Sequence, residues 1–205
     1  MTEITKLEVG KLATNCYVVS NNGVAFVVDP GAESEAIKEY CDSHSLTIEA
    51  ILLTHGHYDH VGAVKSLQDM TGAKIYATPV CADFANSYKS MAFAFGAVLD
   101  RFSTDVPVMD GDNITIGDMT VKVMETPGHT KDSACFILDD NIFSGDTLFQ
   151  TSYGRTDLPS GDFNTLEKSL KRLFDLDGEY RVYPGHGPNT TLSIERQHNL
   201  INFND

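Results

Sequence analysis

The sequence is short of cations. Lys and Arg number 15 against 29 Asp and Glu, a formal net charge of −14. Nucleic-acid backbones and anionic membrane surfaces are held by clustered cations, so neither is expected as a partner. Cysteine is sparse as well: Cys16, Cys41, Cys81 and Cys135 lie far apart, and no Cys-x-x-Cys pair occurs. That excludes a thiolate zinc ribbon and reads as four free thiols in a cytoplasmic protein. The longest mostly apolar stretch, Met91 to Leu99, falls far below the ~20 residues of a membrane helix. The first residues lack the apolar core of a secretory signal. No low-complexity tract or Pro/Gly/Ser linker divides the chain, so residues 1–205 read as one domain.

Hydrophobic patterning is what the sequence does have. Apolar runs at Tyr17–Val19 and Val24–Val28 flank Asn21-Asn22-Gly23, a hairpin signal because both turn residues need positive φ. Ile37, Tyr40, Cys41 and His44 recur at helical spacing, which puts His44 on an apolar helix face. Ile48 to Leu53 reads as a buried strand, Val61, Val64 and Leu67 as a helix, and Lys74 to Ala77 as another strand. Residues 78–108 read as mainly helical, with Tyr88, Phe93 and Phe95 either lining a cleft or packing in the core.

Alternation resumes at Ile114, Ile116, Val121 and Val123 around Gly117-Asp118, a second hairpin. Strands follow at Ser133–Leu138 and Ile142–Ser144. Leu166, Leu170 and Leu173 mark an amphipathic helix with Asp162 or Asn164 as its cap. Tyr180–Tyr183 is a last strand, and a terminal helix starts at Ser193. Both halves open on strand hairpins and end in helices. Two mixed sheets face to face, with helices outside, would bury all of these apolar strands.

Chemistry concentrates in loops that follow strands. Thr54-His55-Gly56-His57-Tyr58-Asp59-His60 succeeds the buried strand ending at Leu53. Two residues apart in extended chain, His55 and His57 share one side and can meet on one metal. Asp59 and His60 come as the chain turns into a helix and can face a second. The same context recurs at Gly128-His129-Thr130, Gly145-Asp146-Thr147 and Pro184-Gly185-His186-Gly187. Five imidazoles and two carboxylates, without a thiolate, suit borderline divalent ions: zinc foremost, with iron or manganese as alternatives.

This ordered set, Thr-His-x-His-x-Asp-His, Gly-His-Thr, Gly-Asp-Thr-Leu-Phe and Pro-Gly-His-Gly, resembles the metallo-β-lactamase superfamily, and within it the glyoxalase II-type hydrolases. The resemblance implies an α/β fold, the four-layer αβ/βα sandwich of two mixed sheets with outer helices. It also implies two metals: one on His55, His57 and His129, the other on Asp59, His60 and His186, with Asp146 bridging. Asp59 would further orient the nucleophile, and Asp29 resembles the family's supporting aspartate. The activity implied is hydrolysis of a small thioester such as S-lactoylglutathione by a metal-bridging hydroxide. Iron-dependent persulfide dioxygenation and lactone or ester hydrolysis are the alternatives. The tandem Asp59-His60 and Asp146 match the hydrolases rather than those metallo-β-lactamases proper that use a cysteine ligand.

Two departures from the family pattern bear on substrate. Only 19 residues follow His186, so the helical domain that helps typical glyoxalase II enzymes hold glutathione is expected to be missing. Arg155, in Ser152-Tyr153-Gly154-Arg155, then has two readings: contact with a substrate carboxylate, or an internal ion pair with Asp157. Lys131-Asp132 also stands where many relatives carry Pro-Gly; Asp tolerates the left-handed conformation such a turn needs.

Overall fold

The computed structural model describes residues 1–201. The chain runs through β1 (Glu3–Val9), β2 (Thr14–Asn21), β3 (Val24–Val28), α1 (Ser34–Ser43), β4 (Thr47–Leu52), α2 (Tyr58–Val61), α3 (Val64–Thr71), β5 (Lys74–Ala77), α4 (Cys81–Ala85) and β6 (Val106–Pro107). The second half contains β7 (Asn113–Ile116), β8 (Met119–Glu125), β9 (Ala134–Leu138), β10 (Asn141–Gly145), β11 (Leu148–Phe149), β12 (Ser152–Tyr153), α5 (Phe163–Phe174), β13 (Arg181–Pro184), β14 (Thr190–Thr191) and α6 (Leu192–His198).

Strands β1 to β6 form one sheet in sequential order, and the second sheet has the order β14-β13-β10-β9-β8-β7. Both are mixed. In the first, β1, β2 and β3 pair antiparallel before β4 joins β3 in parallel; in the second, β10 pairs antiparallel with β9 and parallel with β13. The two halves therefore repeat one scheme, a hairpin followed by a helical crossover to a parallel strand.

Strand alternation explains the layering. In β2 and β3, Tyr17, Val19, Phe26 and Val28 point between the sheets and meet Val121, Val123, Phe136 and Phe143. Cys16, Val18, Ala25 and Val27 point the other way, under Ile37, Val64 and Leu67 of α1 and α3. On the far side, Ile137, Ile142 and Val182 carry Leu166, Leu170 and Leu173 of α5 and Leu192 of α6. Central strands buried on both faces must be apolar at nearly every position, as these are. The result is the αβ/βα sandwich: helices, sheet, sheet, helices. Among the described residues, no helix is long and apolar enough to cross a membrane.

Both predicted hairpins form, with Asn22 and Gly23 at φ 51° and 81° and Gly117 at 53°. Asp162, not Asn164, caps α5, accepting from the Thr165 N–H. The terminal helix starts one residue earlier than expected and ends at His198. Residues 78–108 differ most from expectation. Only α4 and two single turns, Tyr88–Ser90 and Phe93–Phe95, are helical. Met91 and Gly96 take left-handed conformations directly after those turns and stop them from propagating. His44 is also not on a buried face: it ends α1 exposed, its ring stacked on Tyr40 at 4.2 Å.

Candidate metal centre

All four chemistry-bearing loops leave the carboxyl ends of β4, β8, β10 and β13, and the two sheets bring these ends to one rim. His55, His57 and His129 form a cluster of buried imidazoles; Asp59, His60 and His186 form a second. In the first, His57 Nδ1 lies 3.0 Å from His55 Nε2 and 2.9 Å from His129 Nε2. In the second, Asp59 Oδ2 lies 3.5 Å from His60 Nε2 and 3.2 Å from His186 Nε2. Asp146 stands between them. Its Oδ1 is 3.3 Å from His60, and its Oδ2 is 3.6 Å from His129 and 3.7 Å from His186.

Surrounding residues aim the ring lone pairs inward. His129 Nδ1 donates to the Arg155 carbonyl at 2.7 Å, which leaves Nε2 as the acceptor facing the cluster. His60 Nδ1 donates to Asp29 Oδ2 at 2.9 Å, with the same effect. The Thr54 hydroxyl donates to Asp29 Oδ2 at 2.6 Å, so it accepts from His55 Nδ1, 3.1 Å away. Asp29 further takes the Thr54 N–H at 2.8 Å and holds φ at 51°, a value an aspartate tolerates. Asp29 thus orients His60 directly and His55 through Thr54.

His55 Nε2 and His129 Nε2 both approach His57 Nδ1 to about 3 Å; one His57 N–H could satisfy at most one of them, and a cation between the three nitrogens would satisfy all. Among the described residues, the buried atoms His57 Nε2, His60 Nε2 and Asp146 Oδ1 have no hydrogen-bond partner. Protonation preferences differ between the two clusters. Burial, reinforced by neighbouring imidazoles, holds His55 well below the ordinary histidine range and His57 at about 3, so both rings are neutral. Burial also opposes charge on His60, but Asp146 and Asp59 outweigh it and raise His60 well above its usual value. Asp59 is lowered to about 2: burial resists its ionisation, and His60 overrides that. The donor set therefore fits two divalent cations, with carboxylates gathered at the second cluster.

The loop around His186 is held from the opposite sheet. Asn15 Nδ2 donates to the carbonyls of Pro184 and Gly187 at 2.8 and 2.9 Å, and the Tyr17 hydroxyl donates to Pro184 at 2.7 Å. The Thr14 hydroxyl donates to Asp59 Oδ2 at 3.1 Å. Glycine is required at 185, where a Cβ would stand 2.3 Å from Asp146 Oδ1 and 2.6 Å from His60 Cε1. None of these contacts is visible in the local sequence, because the partners are about 170 residues apart or come from another loop.

The clusters floor a cleft of about 390 Å³ walled by Leu12, Met91, Phe95, Phe149, Tyr153 and Leu158. That volume and apolar wall suit a small ligand oriented by a few polar groups. A second cavity of equal volume adjoins it past the stacked rings of Tyr58 and Phe95, which are 5.1 Å apart. Phe95 is a cleft residue, whereas Tyr88 and Phe93 are exposed rather than core. Arg155 stands at the rim and forms a bidentate pair with Asp157 at 2.6 and 2.7 Å, both side chains more than 60% exposed. Asp132 does not take the left-handed conformation expected of it; its carboxylate turns inward to another partner.

Fold and site together define a protein with a candidate metal centre at one rim of two packed mixed sheets. The chain belongs to the metallo-β-lactamase superfamily, whose family model matches residues 9–186. It is 33% identical over 192 residues to the hydroxyacylglutathione hydrolase GloC of Haemophilus influenzae, covering 90% of this chain and 91% of that one. The BLEG-1 B3 metallo-β-lactamase structure superimposes with a TM-score of 0.88 at 33% identity, over 97% and 98% of the chains. TTHA1623 in a di-iron-bound form does so with a TM-score of 0.87 at 36% identity, over 96% and 98%.

Proposed function

We propose that this chain is a dinuclear metal-dependent hydrolase that cleaves a small thioester such as S-lactoylglutathione. The observation that carries the proposal is the pair of ligand clusters flanking one carboxylate, Asp146, at the floor of an apolar cleft. Similarity to a hydroxyacylglutathione hydrolase supports the substrate class. In this reading His55, His57 and His129 hold one cation, Asp59, His60 and His186 the other, and Asp146 spans both. Zinc is our first choice of metal. Two such cations supply a water acidic enough to attack at neutral pH and polarise the carbonyl it attacks.

The chain's own residues do the rest. The Thr14 hydroxyl fixes one oxygen of Asp59, so its carboxylate can accept a hydrogen bond from the attacking water and orient it. Apolar walls on the cleft exclude bulk water from the reacting carbonyl. Arg155 receives an anionic end of the substrate by exchanging its exposed partner Asp157 for a substrate carboxylate. An exposed pair of this kind is worth little, so the exchange costs little. Four buried free cysteines fit a reducing, cytoplasmic setting.

Likeness to ETHE1 from Myxococcus xanthus, with a TM-score of 0.81 at 29% identity, favours one second reading, iron chemistry of the persulfide dioxygenase type. A single preparation separates the two. Its metal content is measured, then thiol release from a thioester and oxygen uptake with glutathione persulfide. Two metals per chain with thiol release are expected. Oxygen uptake without thiol release would select the second reading, and neither activity from fully metallated protein would overturn both.

A further inference from the structure

Asp132 has no part in the chemistry described so far, yet it is 1% exposed and charged side chains are seldom buried without a task. It lies three residues after His129, on the loop leaving β8. Its Oδ2 accepts the backbone N–H of Gly56 at 2.8 Å, and Gly56 is the residue between His55 and His57. One carboxylate thus ties the loop that supplies His129 to the loop that supplies His55 and His57. No comparable side-chain tie from Asp132 reaches Asp59, His60 or His186.

The tie is seated on both sides. The Asp132 carbonyl accepts from the Thr78 hydroxyl at 3.0 Å, which fixes its backbone against the loop before α4. Gly56 is pressed against α4: a Cβ there would meet Phe84 Cδ1 at 2.9 Å and the Cys81 carbonyl at 3.0 Å. With α4 behind it and Asp132 holding its N–H, the His-x-His segment has little freedom to shift. The backbone link between these loops, from the Ala134 N–H to the Thr54 carbonyl at 2.8 Å, fixes the strand ends rather than the peptide between the histidines.

We infer that Asp132 is a positioning residue that sets the geometry of the His55–His57–His129 metal site, and of that site alone, by fixing the Gly56 peptide. The inference rests on the metal reading given above. Groups outside the ligand shell that orient ligands commonly govern affinity by 10–100-fold. A glycine at 132 would have no side chain with which to make this contact, so the contact belongs to the side chain this chain carries.

Each cluster is isolated for the test, the first in an H186A background and the second in an H129A background. Zinc affinity of each is then measured by competition with a chromophoric chelator. Asp132→Ala is expected to weaken zinc at the first cluster about 10–100-fold and leave the second unchanged. Asp132→Asn, which offers an acceptor oxygen at the same reach, should restore affinity to near the parent value. Equal loss at both clusters would make Asp132 a general stabiliser and overturn the inference, as would no loss at the first. If D132A does not fold, Asp132→Ser takes its place, its hydroxyl too short to reach Gly56. Asn and Ser variants that bind zinc alike then overturn the inference. Parent backgrounds that take up no zinc would overturn the metal reading itself, whereas zinc uptake insensitive to Asp132 leaves that reading intact and removes only the role of Asp132.

Discussion

Replacing Gly185 by Ala tests the candidate centre with a single methyl group. The added Cβ would lie 2.3 Å from Asp146 Oδ1, about 1 Å short of ordinary contact, and 2.6 Å from His60 Cε1. Gly185 does not have positive φ, so its own backbone accepts alanine, and the cost falls mainly on those two side chains, with the Gly145 carbonyl carbon a tight third contact at 3.1 Å. Asp146 Oδ1 can retreat, so overpacking should cost the fold only about 1–3 kcal/mol. The centre tolerates much less, because metal–ligand distances hold to about 0.2 Å. Displacement by about 1 Å is expected to lower kcat/KM about 100-fold, equivalent to about 2.7 kcal/mol of transition-state stabilisation. Gly187 provides the control on the same loop. It sits at φ 75° with nothing within 4 Å of its Cβ position, so G187A should cost about 1–2 kcal/mol of stability from backbone strain and little activity per folded molecule. The assay is thioester turnover with metal content and thermal melting on both variants. A G185A protein that keeps two metals and full turnover would refute the placement of Asp146 between the clusters.

Three further outcomes are expected. Asp29→Ala should lower stability by about 1–3 kcal/mol in denaturant titration, because Thr54 and His60 lose a buried partner, and should weaken zinc at the second cluster about 10–100-fold. Phe95→Ala, at the boundary of the two cavities, should raise KM about threefold to tenfold with kcat unchanged, measured in steady state. Acidification should empty the clusters in order. His60 and His186 have raised pKa values, so protons compete for the second cluster from near neutrality, whereas His55 and His57, with lowered pKa values, stay neutral into the acid range. Dialysis from about pH 7 to about pH 5 with metal analysis should release one equivalent and retain the other. Simultaneous loss would contradict this ordering.

Legibility followed the distance over which a pattern acts. β5 matched its expected bounds, and β4 fell within a residue of them, because doubly buried strands leave continuous apolar runs. β1 escaped notice: as an edge strand it is half exposed, and Thr5 and Lys6 interrupt its apolar positions. Strands of two residues, β6, β11, β12 and β14, are too short to carry a period. The candidate ligands were readable because each follows a strand within a few residues. Their supports were not. The Asn15 and Tyr17 clamp on Pro184 spans about 170 residues, and the Asp132 contact with Gly56 spans 76, so neither leaves a local signature. Asp132 in particular reads as a turn residue in the sequence, because the partner that draws its carboxylate inward lies on another loop.

Each ligand cluster draws on both halves of the molecule. His55 and His57 come from the first sheet and His129 from the second; Asp59 and His60 come from the first and His186 from the second. A cation in either cluster would therefore act as a cross-link between the sheets, in a chain whose four cysteines form none. Ligand bound only by the docked sheets raises the free energy of separating them by RT ln(1 + [L]/Kd), about 4 kcal/mol when free metal exceeds Kd by 1,000-fold. Metal supply would then govern how long the two halves stay together as well as whether the cleft can work, and starvation for metal would show first as a softened seam between the sheets.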